Sequence, residues 1–133
     1  MVIATSRFSN KELVKASGLA PVAITLGAPR FNVGYLWGRV LALAPHGLFQ
    51  VKDPVEFWPA YREHLDRLGA VVIERLLSCA WHDYVVSLGV SRDECPGVVV
   101  LCFEDVHKGD WCHRQVFAAW WTEQTGEPVA ELA

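Results

Sequence analysis

The run Val98-Val99-Val100-Leu101-Cys102-Phe103 passes through the chain with no polar interruption, and it constrains the fold more than any other stretch. A strand with one wet face alternates apolar and polar side chains, whereas an unbroken apolar run suits a strand covered on both faces. Strands of that kind belong to parallel sheets, which need crossover connections that are usually helices. The remaining sequence supplies both parts. Residues 2–6 read as a β-type run, residues 21–26 as a second strand stopped by Gly27-Ala28-Pro29, and residues 129–132 as a short edge strand.

Between them lie helical patterns. Residues 10–16 form a short one, broken by Gly18. Leu36, Trp37, Val40 and Leu41 recur at helical spacing, so a short helix is predicted within 32–43 despite Gly34 and Gly38. Residues 49–52 are predicted to be extended. Asp53-Pro54 pairs an N-cap residue with a proline at the first helical position, and Phe57, Trp58, Tyr61, Leu65 and Leu68 line the helix that follows. Gly69 interrupts, and a second helix runs over 70–88. Asp110 is the predicted N-cap of a helix over 111–125, buried through Val116, Phe117, Trp120 and Trp121 and closed by Gly126. The interleaving of strands and helices predicts a single α/β domain over 1–133, with three layers and a small, mostly parallel sheet flanked by helices.

A chain of 133 residues with 52% hydrophobic and 20% charged residues can bury a substantial core and is not disordered. Its net charge of −3 argues against a broad face for duplex nucleic acid. No apolar run reaches the length of a membrane span. The opening residues lack the basic-then-apolar order of a signal peptide, so a cytoplasmic protein with reduced thiols is expected. The four cysteines contain no C-x-x-C pair, which excludes a zinc ribbon or a thioredoxin motif.

Ligands of open α/β sheets bind outside the carboxyl ends of the strands. Arg7 follows the first strand, Arg30 the second, and Arg114 the loop after the third. Three guanidiniums converging on one mouth would suit phosphate or carboxylate, helped by backbone N–H groups at the start of the 111–125 helix. The alternative is ordinary pairing of these arginines with acidic neighbours such as Glu104, Asp105 or Asp110. Ser6 belongs to the same strand end, and Tyr35 and Trp111 are candidates to stack on a ring, though core packing is the commoner use of such side chains.

Cys112, near a helix start, is a candidate nucleophile. His113 adjoins it in sequence but is expected to point away around the helix, leaving His107 as the better partner. Glu104 and His113 form a second possible acid/base pair. A phosphatase-type loop is excluded, because Lys108 stands where the arginine six residues after Cys102 would be required. Cys102, His107, Cys112 and His113 are zinc-type ligands, but their spacing matches no familiar pattern, and neither metal nor cofactor is expected.

The segment from Val99-Val100-Leu101-Cys102-Phe103-Glu104 through Cys112-His113-Arg114 to Val129-Ala130-Glu131-Leu132 resembles the small bacterial and phage family called domain of unknown function four-eight-eight. Its members carry an apolar strand ending in Cys-x-Glu, then Cys-His-Arg, a helix and a last strand. Ala4-Thr5-Ser6-Arg7-Phe8 and Leu26-Gly27-Ala28-Pro29-Arg30-Phe31 are similar to its N-terminal half. The resemblance implies a compact α/β domain with a site at Cys102, Glu104, Cys112, His113 and Arg114, and it implies no particular reaction. The loop from 105 to 111 is longer here than the family's. Together these readings lead to the expectation of a pocket for a small anionic, nucleotide-like ligand. An enzyme acting on a nucleotide or nucleic-acid base is the alternative, and a tryptophan-rich protein-interaction module a third possibility.

Overall fold

The computed structural model describes residues 1–48, 50–104 and 111–133. Its centre is a five-stranded sheet in which every pairing is parallel. In chain order the elements are β1 (Val2–Arg7), α1 (Lys11–Ser17), β2 (Ala20–Ala23), β3 (Gly38–Arg39), α2 (Pro54–Leu68), α3 (Ala70–Leu88), β4 (Gly97–Cys102), α4 (His113–Thr125) and β5 (Ala130–Glu131). The strands lie in the order β3-β2-β4-β1-β5. The apolar run therefore sits in the middle, as its composition demands, and every residue of β4 is buried.

Alternate residues of β4 feed two different cores. Val98, Val100 and Cys102 face α2, α3 and α4, packing in one cluster with Tyr61, Leu65, Ile73, Leu77, Phe117 and Trp120. Val99 and Leu101 face the other way, onto Phe8, Val14, Leu19 and Val33. The division follows from the handedness of parallel crossovers. The connection from β1 through α1 runs one way along the sheet, and those through α2–α3 and through α4 run the opposite way. Right-handed crossovers in opposite directions must use opposite faces, which gives three layers.

The strand order also creates a switch point. The chain leaves β2 toward β3 at one edge and leaves β4 toward β5 at the other. Adjacent strands whose connections diverge leave a crevice outside their carboxyl ends. Here it opens between the ends of β2 and β4.

Three local expectations are corrected. Residues 32–43 hold no α-helix: β3 is there, followed by a single 3-10 turn at Leu41–Leu43. The sheet edge competes successfully, since the Val40 amide donates to the Ala23 carbonyl at 3.0 Å, and Gly34 takes a φ of 80°, outside the helical region. Residues 50–52 join no strand, while Phe49 lies outside the described residues. The N-cap of α4 is Cys112 rather than Asp110, which also lies outside them. Asp53 caps α2 as its sequence predicts, its carboxylate accepting from the Val55 amide at 3.0 Å. No helix of the described residues is long and apolar enough to cross a membrane.

Candidate functional site

The crevice at the switch point is a cavity of about 480 Å³, within the usual range for a small-molecule site. Thr25, Leu26 and Gly27 enter it from the end of β2, and Phe103 and Glu104 from the end of β4. Pro45, Leu48, Val51 and Lys52, on the approach to α2, form a third wall with Phe57. Trp111, Cys112 and His113 complete it at the start of α4.

Cys112 and His113 belong to a buried cluster of two sulfurs and an imidazole, with Cys102 lying behind them. Cys102, the last residue of β4, is turned toward the α4 side by the strand's alternation. Cys112 is extended, at φ −145° and ψ 149°, so its side chain does not follow the helical screw. This reverses the expectation that His113 points away from it: Cys112 Sγ lies 3.7 Å from His113 Nδ1. Cys102 Sγ lies 3.7 Å from the same Nδ1 and 3.5 Å from Nε2. The ring is fixed from its other side, where Nε2 is 2.6 Å from the Ile24 carbonyl oxygen. A carbonyl only accepts, so Nε2 carries a proton, and in the neutral ring the unprotonated Nδ1 is on the side of Cys112 Sγ, while Cys102 Sγ lies about equally far from both ring nitrogens. Tyr61 packs edge-on against the imidazole at 5.4 Å, its hydroxyl donating to the Leu43 carbonyl at 2.5 Å. Tyr61→Phe should lower stability by about 1–2 kcal/mol in urea denaturation, because it leaves that carbonyl buried without its donor.

Burial pushes the Cys112 thiol well above its ordinary pKa, with the neighbouring Cys102 adding to the effect and His113 opposing it. A free Cys112 is therefore a thiol at neutral pH, unlike the activated thiolate of nucleophilic catalysis.

The three arginines do not share this mouth. Arg114 is fully buried and forms a two-pronged ion pair with Glu131 of β5, Nε to Oε1 at 3.0 Å and Nη2 to Oε2 at 3.1 Å. Burial disfavours its charge, but the bonds to Glu131 more than offset this, and the Cys112 and Cys102 sulfurs contribute in the same sense. Its acidic partner among the described residues is Glu131, not Glu104, while Asp105 and Asp110 lie outside them. Arg7 holds Asn10 Oδ1 at 3.2 Å, and Arg30 is exposed beyond β2. None of the three is among the described residues lining the cavity.

Ser6 is occupied in fastening the chain end: its hydroxyl donates to the Leu132 carbonyl at 2.7 Å and accepts from Asn10 Nδ2 at 3.1 Å. Tyr35 lies with the opposite core, its hydroxyl donating to the Phe8 carbonyl at 2.7 Å, and burial raises its pKa to about 12. Trp111 does line the cavity, half-buried with its ring 4.8 Å from Phe57. Glu104 is exposed at the rim, and His107 lies outside the described residues. Sequence reading overlooked Lys52, Thr25 and Phe57. Thr25 had a usable signal, since it lies at the carboxyl end of the predicted second strand, whereas Lys52 and Phe57 reach the cavity through tertiary packing.

No family model, no curated protein and no solved structure matches the chain.

Proposed function

We propose that the cavity between the carboxyl ends of β2 and β4 binds a small, ring-bearing, anionic ligand of nucleotide-like character. The observation that carries this reading is the meeting of Trp111, Lys52 and Glu104 with buried His113 around one cavity at the switch point. Trp111 offers a stacking face, Lys52 a cation for phosphate or carboxylate, and Glu104 a carboxylate for hydroxyl or amino groups. The anion is met by Lys52 instead of the arginines first considered, because Arg114 is committed to Glu131. The Cys-x-Glu and Cys-His-Arg likeness to domain of unknown function four-eight-eight is compatible with this position and adds no reaction.

Titration calorimetry with nucleoside monophosphates tests the reading. Binding to the wild type is expected, weakened about tenfold or more in Trp111→Ala through loss of base stacking. A purine or pyrimidine monophosphate that binds with the same affinity in Trp111→Ala and Lys52→Glu would place the ligand elsewhere. The enzymatic alternative rests on the Glu104 and His113 side chains facing the same cavity. It requires turnover of the bound ligand that is lost in Glu104→Gln.

A further inference from the structure

We propose that Cys102, Cys112 and His113 form a zinc site with one coordination position open toward the cavity. The inference does not depend on the nucleotide-like ligand, and it replaces the expectation of a metal-free protein. Its basis is geometric. The three ligand atoms lie within 4.8 Å of one another, and all three residues are buried. Zn–S bonds of about 2.3 Å and a Zn–N bond of about 2.0 Å, set tetrahedrally, separate sulfur from nitrogen by about 3.5 Å. Cys112 Sγ and Cys102 Sγ are each 3.7 Å from Nδ1.

The orientation of the imidazole is a second, independent observation. Metal-bound histidines donate their other ring N–H to a carbonyl or carboxylate, which fixes the tautomer and aims the free lone pair. In His113 the Ile24 carbonyl does this at 2.6 Å. Cys102 Sγ also lies 3.5 Å from Nε2, so a turn of its side chain toward the Nδ1 side accompanies metal binding.

Charge balance favours the occupied form. Two buried thiols lose their protons to solvent as Zn²⁺ binds, and two thiolates with one divalent cation leave a neutral site. Cys112 and His113 line the cavity while Cys102 lies behind them, so the fourth position faces the cavity and is open to water or a ligand oxygen. Three protein ligands with one exchangeable position is the arrangement of reactive zinc sites, as opposed to closed structural ones.

The test uses the full chain purified without chelator, and the same chain stripped and refilled with Co²⁺. Elemental analysis should find about one zinc per chain. The cobalt form should show the intense visible bands of tetrahedral coordination and a sulfur-to-cobalt charge-transfer band. Cys112→Ser and His113→Asn should each reduce metal content at least tenfold, while Cys79→Ser, altered at an exposed cysteine, should retain it. Cys102→Ser should weaken the charge-transfer band if it still binds cobalt. Far-ultraviolet circular dichroism of each variant separates loss of metal from loss of fold. Three outcomes would overturn the proposal: zinc well below stoichiometric in a folded wild type, a cobalt spectrum without the sulfur band, or a Cys102–Cys112 disulfide in protein handled under reducing conditions.

Discussion

Gly97→Ala is expected to destabilise the protein by about 3 kcal/mol or more, the upper end of what an added methyl group does in a packed interior. Gly97 opens β4 and stands in register with Val2 of β1. A Cβ placed there would lie 1.8 Å from the Val2 carbonyl oxygen and 2.6 Å from both the carbonyl carbon and the nitrogen of Val2. Those atoms belong to a strand backbone, so no rotamer change relieves the overlap. The two strands must separate at their amino ends, opening the central pairing of the sheet. Chemical denaturation monitored by circular dichroism should show a large fall in the midpoint, or no folded baseline at all. A midpoint unchanged from wild type would mean that β1 and β4 do not approach as described.

The second large effect is expected at Glu131. Removing its carboxylate in Glu131→Ala leaves the Arg114 guanidinium, fully buried, without its counter-charge. Breaking a fully buried pair from one side costs about 3–5 kcal/mol, and the quarter exposure of the Glu131 side chain places the loss toward the lower end of that range. The Thr5 hydroxyl loses an acceptor as well, since it donates to Glu131 Oε1 at 2.8 Å. Glu131→Gln, which keeps an acceptor and the volume, should lose less. The double variant Arg114→Met with Glu131→Leu should be more stable than Glu131→Ala, because no unpaired charge remains. If Glu131→Ala melted within a degree or two of wild type, the pair would not clamp β5 to α4.

These two positions show where sequence reading succeeds and where it stops. The parallel sheet was legible because Val98 to Leu101 could be satisfied only between two layers, and the Asp53-Pro54 start of α2 was legible because capping is local chemistry. Residues 32–43 were not, since their helical spacing competes with an edge of β2 that exists only after folding. A cavity does lie at the strand ends, and Glu104, Trp111, Cys112 and His113 are among the residues that line it. Arg114 shows the limit. A guanidinium near a strand end reads as an anion receptor, yet Glu131, seventeen positions along the chain, takes it first. Cys102 shows the reverse case: it reads as the end of an apolar strand, and alternation along that strand turns its sulfur toward α4 and the His113 ring.

The ligand proposed for the cavity at the β2 and β4 ends is anionic and ring-bearing. The most direct measurement is thermal stability of the wild type against a matched series of nucleobase, nucleoside and nucleoside monophosphate. A ligand at 100 times its Kd stabilises by about 2.7 kcal/mol, which is readily seen in a melt. The monophosphate should raise the melting temperature most, its advantage over the nucleoside should vanish in Lys52→Glu, and Trp111→Ala should diminish every shift. No shift with any member, or equal shifts in wild type and both variants, would contradict the account.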